Sequence, residues 1–157
     1  MTATANLVVE RATIDDLPGI VAVYGDDEVG GSGDAWNEES RPAYERGFHA
    51  IAASPAVELY VARRDGTVVG TIQLLFSPHI GGHGGLRCIL ESVFVAAAAR
   101  GQGVGAAMLA MAEERARARG AALITLSSSA RRINAHRFYE QHGYVKTSVA
   151  FKKRMAP

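Results

Sequence analysis

The run Arg100-Gly101-Gln102-Gly103-Val104-Gly105 has the residue types and spacing of a phosphate cradle. Glycines at alternate positions let a ligand approach the backbone closely. The Ala- and Met-rich stretch at 106–119 reads as a helix, whose first turn directs unpaired N–H groups and a positive dipole end toward the same spot. Such a turn holds a phosphate or pyrophosphate. It is not the nucleotide loop G-x-x-x-x-G-K-S/T, because Ala106-Ala107 follow Gly105 and no lysine is available for terminal phosphates. Gly101, Gly103 and Ala106 formally fit the dinucleotide pattern G-x-G-x-x-G/A. However, residues 96–100 separate the preceding apolar run from the first glycine, and the next apparent strand ends in Ser127-Ser128-Ser129 instead of an acid.

The elements around this turn follow from periodicity and punctuation. Residues 7–11 read as a strand, and Thr13 with Asp16 starts a helix reaching about 24. A glycine patch, Gly30-Gly31-Ser32-Gly33, lies in the loop that follows. A second helix spans 40–53 and stops at Ser54-Pro55. Strands at 57–63 and 67–76 flank the hairpin signal Asp65-Gly66. A glycine-rich excursion at 77–85 precedes a strand at 86–95. After the loop come a helix at 103–119 with Met108, Met111, Ala112 and Arg115 on one side, a strand at 121–127, a helix at 133–142 and one or two strands within 144–155. This order makes an α/β (α+β) single domain over residues 1–157.

The loop and its surroundings resemble the GNAT family of N-acetyltransferases. Arg100, Gly103 and Gly105 fill the fixed positions of its R/Q-x-x-G-x-G/A loop, and the upstream run at 89–95 is similar too. Ala135-His136-Arg137-Phe138-Tyr139-Glu140-Gln141-His142-Gly143-Tyr144 resembles the family's later A-x-x-F/L-Y-E-x-x-G-F/Y block. The resemblance implies the GNAT fold, a mixed sheet of six or seven strands flanked by about four helices. It also implies acetyl-CoA as cosubstrate and transfer of its acetyl group to a primary amine.

By that resemblance, the backbone of Arg100, Gly101, Gln102, Gly103, Val104 and Gly105 holds the pyrophosphate, with polar contacts from the Arg100 and Gln102 side chains. The pantetheine arm pairs with Val93 and Val95, and the Phe94 region offers the thioester carbonyl an N–H. Tyr139 protonates the departing thiolate; its ordinary pKa of about 10 lies above that of a thiol near 8.5. Glu91 takes the amine proton through water, or else pairs with Arg87, Arg131 or Arg132 as a structural ion pair. Alternation puts Ile89, Glu91, Val93 and Val95 on one face. His83 is the second candidate base. The family's cofactor-contacting Asn stands seven residues before the motif Tyr, where this chain has Arg132. Asn134 either takes that role or serves the helix start, and Arg131 and Arg132 are alternatives for the 3′-phosphate.

Bulk properties narrow the partners. The 157 residues are 48% hydrophobic and 21% charged, as in a soluble globular domain. A net charge of +1 without a basic stripe argues against nucleic acid. No apolar run approaches the roughly 20 residues that span a bilayer, so no membrane partner is expected. Residues 1–6 lack a signal-peptide pattern and Cys88 is the sole cysteine, which fits a cytoplasmic protein. Cys88 reads as core filler, which favours direct attack over an acetyl-enzyme. No histidine has metal-ligand spacing, so no metal is expected. Half of the sixteen carboxylates (Asp15, Asp16, Asp26, Asp27, Glu28, Asp34, Glu38 and Glu39) fall between Arg11 and Arg41, where no Lys or Arg occurs. They form a solvated surface, or a field that attracts a cationic acceptor. A small amine is the expected acceptor. A protein N-terminus or lysine, or a non-catalytic acyl-CoA sensor, is the alternative, and a homodimer is common among relatives.

Overall fold

The computed structural model describes residues 6–30 and 33–156. Expectations touching residues 1–5, and the 31–32 part of the glycine patch, lie outside the described residues. Leu7–Arg11 forms β1. The Thr13 N–H donates to the Asp16 carboxylate at 2.8 Å, and the resulting single turn leads into helix α1, Leu17–Gly25. Helix α2 spans Arg41–Ala53, with its proline in the first turn, where no helical hydrogen bond is lost. Strands β2, Val57–Arg64, and β3, Thr67–Pro78, meet at Asp65 and Gly66, which both have left-handed φ values (48° and 84°), as a tight hairpin turn requires. Strand β4, Leu86–Val95, precedes helix α3, Val104–Ala118, and strand β5, Leu123–Leu126.

These strands form one sheet in the order β1-β2-β3-β4-β5, antiparallel except for the parallel β4–β5 pair. Period-two alternation gives it two faces. One carries Leu59 and Val61 and packs against Ile20 of α1 and Phe48 and Ile51 of α2. The opposite face carries Ile72, Leu74, Phe76 and Cys88 beneath Met108, Leu109 and Ala112 of α3, all buried. Gly70 makes that packing possible: a Cβ there would stand 3.0 Å from Val104 and 3.1 Å from the Met108 sulfur.

The first compact unit ends at Leu126, and the second begins at Ser127. Within the second unit, helix α4 spans Ile133–Gln141 and ends at Gly143 (φ 84°), where the Tyr144 N–H donates back to the Tyr139 carbonyl at 3.0 Å. The expected strands within 144–155 are corrected: no strand forms there among the described residues, and Val145, Val149 and Phe151 are exposed. The alternation is present, but a strand also needs a neighbour to complete its ladder. Among the described residues the sheet therefore has five strands, not six or seven, and four helices have nine residues or more. No helix among the described residues is long and apolar enough to cross a membrane.

One buried carboxylate ties α3 to the sheet. Glu58 of β2 accepts from Arg115 at 2.8 Å, Arg119 at 3.0 Å and the Tyr60 hydroxyl at 2.7 Å, and pairs with Arg11 at 3.3 Å. The Arg119 guanidinium also lies over the Phe76 ring, 4.3 Å from its centre. Hydrogen bonding from Arg115 is the main force holding the Glu58 carboxyl down, from 4.5 to about 2, against the opposing effect of burial.

Replacing Glu58 by Gln should cost roughly 3 kcal/mol, because three guanidinium groups lose their shared anion. With its folded pKa depressed, Glu58 contributes fully above about pH 4.5 and loses that contribution as pH falls toward 2. Urea melts across that window should show wild type losing stability more steeply than Glu58→Gln; parallel curves would contradict the assignment.

Candidate active site

The decisive local feature is a register break in β4. Gln73 pairs with Glu91, yet Thr71 pairs with Phe94, so β4 carries one residue more than β3 across this interval. Ser92 absorbs it with a left-handed φ of 49°. Glu91 and Phe94 consequently share a face, which corrects the expectation that Glu91, Val93 and Val95 do. The parallel ladder to β5 ends at Leu90–Leu126, so beyond Leu90 β4 has β3 as its only strand neighbour among the described residues.

The Ala96 N–H donates to the Val69 carbonyl at 2.9 Å. Antiparallel alternation then turns the Phe94 peptide groups toward β3 and those of Val93 and Val95 toward the open edge. The open groups are thus those of Val93 and the N–H of Val95, not those of Phe94; the Val95 carbonyl is taken by Arg100. The Phe94 ring instead meets Tyr24 edge-on at 5.2 Å. Burial is the largest influence on the Tyr24 hydroxyl and raises its pKa, while hydrogen bonds with the Ser92 and Thr71 side chains act the other way.

The loop after β4 is braced from behind. Arg100 Nε donates to the Val95 carbonyl at 3.2 Å and Nη2 to the Asp26 carbonyl at 3.2 Å. Its guanidinium therefore grips main chain, unlike the outward polar contact expected from sequence. Gln102 Nε2 donates to the Ala98 carbonyl at 2.8 Å, and the Gln102 Oε1 and carbonyl oxygens both accept from Arg64. The Asp26 carboxylate accepts from the Ala97 N–H at 3.0 Å. Asp26 and Arg64 were invisible as loop partners because they lie far away in sequence. Gly101 (φ 72°) and Gly103 (φ 81°) are left-handed, and a Cβ on either would meet nothing within 4 Å. Glycine is required there by conformation, not by crowding. Val104 and Gly105 open α3, whose first N–H groups have no acceptor within the helix.

Over the Glu91 face, a cavity of about 150 Å³ is lined by Tyr24, Tyr44, Phe48, Leu59 and Gln73, the last being the register partner of Glu91. The Tyr44 hydroxyl donates to Asp34 at 2.6 Å, and its ring stacks with Trp36 at 6.0 Å. Glu91 is exposed and forms no ion pair with Arg87. His83 is exposed in the Gly81–Gly84 turn, at the opposite end of β4 from Ser92. Cys88 is buried; desolvation, with help from the Glu58 charge, pushes its thiol up to about 11, which leaves it a poor nucleophile. Among the described residues no group of three or more His, Cys, Asp or Glu is arranged to hold a metal.

In the second unit, Tyr139 packs against Phe138 (5.3 Å) and Tyr144 (5.8 Å). Burial raises its hydroxyl pKa, opposed by the Arg132 charge. Asn134 is exposed in the first turn of α4, and Arg132 is the residue that caps it.

Comparison with known proteins agrees with this architecture. Residues 20–144 match the model of the acetyltransferase (GNAT) family. An aminoalkylphosphonate N-acetyltransferase from Salmonella typhimurium is 38% identical over 119 residues, covering 76% of this chain and 77% of that protein. A crystal structure named as a transcriptional regulator from Bacillus halodurans superposes with a TM-score of 0.91 at 33% identity, over 96% of this chain and all of that one. Glucosamine-6-phosphate N-acetyltransferase from Arabidopsis thaliana shares the fold at a TM-score of 0.80 and 17% identity, over 96% and 99% of the two chains. The chain belongs to the acetyltransferase (GNAT) family and is an N-acetyltransferase.

Proposed function

We propose that this enzyme moves an acetyl group from acetyl-CoA to the primary amine of a small molecule by direct attack. The observation that carries the reading is the bare edge of β4 running from the Ser92 bulge into a left-handed glycine turn at a helix N-terminus. An edge of that kind pairs with an extended amide-bearing chain, and the turn suits a diphosphate. These features fit coenzyme A. The family match extends from residue 20 to 144, across both compact units, which supports one acetyltransferase domain over 1–157. The Salmonella relative is named for aminoalkylphosphonates, which supports a small amine as acceptor.

When bound, acetyl-CoA supplies a thioester carbonyl open to attack and a thiolate leaving group. In this reading Val93 and Val95 align the pantetheine amides. The backbone from Arg100 to Gly105 holds the diphosphate, with Asp26 and Arg64 fixing its shape, and Asn134 adds a cofactor contact from the start of α4. Glu91 accepts the amine proton, directly or through one water, as the nitrogen bonds to the carbonyl carbon. Tyr139 gives its hydroxyl proton to the departing sulfur; its raised pKa keeps that proton in place at neutral pH. The acidic residues between Arg11 and Arg41, Asp34 among them, give a negative field that suits an ammonium group on the acceptor.

Release of free thiol from acetyl-CoA across a panel of small amines tests the reading; calorimetric silence toward coenzyme A would sink it. Tyr139→Phe should lower kcat by about 10²-fold while coenzyme A affinity is unchanged. Glu91→Gln should lower kcat by about 10²-fold with little change in coenzyme A affinity. Forcing a branched side chain into the left-handed turn with Gly103→Val should weaken coenzyme A binding about tenfold. Asp26→Ala, which frees the Ala97 N–H, should raise the KM for acetyl-CoA by roughly fivefold without changing that for the amine.

A further inference from the structure

We propose that Arg87 and His79 form a subsite for a tetrahedral oxyanion on the acceptor, so that the preferred substrates are short amines ending in a phosphonate or phosphate. This rests on the reading above in one respect, that the amine end reacts beside Glu91.

Arg87 pairs in register with Ser77 of β3 and Leu123 of β5. With Ser77, Leu75 and Gln73 as partners of Arg87, Ile89 and Glu91, these three β4 residues share one face. Four residue steps along the strand separate Arg87 from Glu91, about 13 Å between Cα atoms. A long guanidinium side chain and a short bifunctional acceptor together bridge that distance. Among the described residues, Arg87 Nε is buried without a hydrogen-bond partner and the side chain forms no ion pair. Arg11, Arg63, Arg115 and Arg119, by contrast, all pair with carboxylates.

A second unsatisfied group lies at the same end of the sheet. The His79 N–H donates to the Gly85 carbonyl at 3.1 Å, which continues the β3–β4 pairing and brings His79 to the same side as Ser77 and Arg87. His79 Nδ1 is buried without a partner. Its ring lies under the glycine turn, where Cβ atoms on Gly82 and Gly85 would come within 3.7 and 3.5 Å of it. Gly82, His83 and Gly84 all take left-handed conformations to cover it. Buried donors normally find acceptors. A permanent guanidinium charge and an imidazole in its Nδ1–H tautomer complement a phosphonate-type anion.

The test compares 2-aminoethylphosphonate, O-phosphoethanolamine and neutral ethanolamine as acceptors for wild type and Arg87→Met. The variant should raise KM for both anionic amines by about 10- to 100-fold, with kcat and the ethanolamine kinetics unchanged. Arg87→Lys should restore part of the loss, and His79→Phe should show a smaller loss of the same kind. The ratio between the two anionic amines tells phosphonate from phosphate ester. Equal effects on charged and neutral acceptors, or none, overturn the subsite even if turnover continues. Should no amine be acetylated, titration of methylphosphonate into the coenzyme A-saturated protein decides separately. Binding lost in Arg87→Met keeps the subsite while the transfer reading falls, and no Arg87-dependent binding overturns it. If Arg87→Met does not fold, Arg87→Lys and His79→Phe carry the same comparisons.

Discussion

The architecture turns on one surplus residue in β4. An inner strand normally has both edges hydrogen-bonded, with nothing to offer a ligand's main chain. Ser92 breaks that rule by taking a left-handed conformation inside the ladder, so that three residues of β4 advance where β3 advances two. A bulge bends and twists its strand, and the parallel pairing with β5 stops at Leu90, just before it. A left-handed non-glycine residue costs about 1 kcal/mol. Tyr24 offsets that cost by burying its ring against Phe94 and holding the Ser92 side chain through its hydroxyl. Open edges invite aggregation unless they are short or covered. Here Arg100 folds back to take the Val95 carbonyl, so the exposed edge is only a few residues long.

The glycine turn inherits its shape from the same bend. Its polar side chains are spent on the protein's own backbone: Arg100 on Val95 and Asp26, Gln102 on Ala98 and Arg64. The directions a Cβ would occupy on Gly101 and Gly103 stay open. The turn is therefore stiff on its inner side and bare on its outer side, as a pre-organised anion cradle must be. Asp26 at the end of α1 makes this stiffness depend on the helix that also lines the apolar cavity through Leu17, Ile20 and Tyr24.

Most element positions were legible because they follow from local signals. The Asp65-Gly66 hairpin, the Thr13–Asp16 start of the first helical segment and the glycine that stops α4 each depend on residues a few positions apart. The fold was legible through the two motif blocks. The bulge was not, since Ile89-Leu90-Glu91-Ser92-Val93-Phe94-Val95 has no glycine to mark it and reads as an unbroken strand; without it the alternation of Glu91, Val93 and Val95 was miscounted. Arg100 was identified but its direction was not, because its acceptors include a carbonyl some seventy residues away. Residues 144–155 failed in the opposite sense: the pattern of a strand was there, but pairing is a property of two strands and cannot be read from one.

The sheet also separates two uses of charge. On the α3 face, Glu58 is surrounded by three guanidinium groups and a tyrosine hydroxyl, and every partner is supplied by the chain itself. Such a cluster holds α3 in place and offers nothing to an outside molecule. On the other face, Glu91 stands exposed on the bulged strand without an ion pair to Arg87, and the Arg87 Nε is buried without an acceptor. About 13 Å of strand separates their Cα atoms, so the two charges do not neutralise each other as Arg115 and Glu58 do. In the proposed reading, a molecule with an amine at one end and an anion at the other spans these two charges.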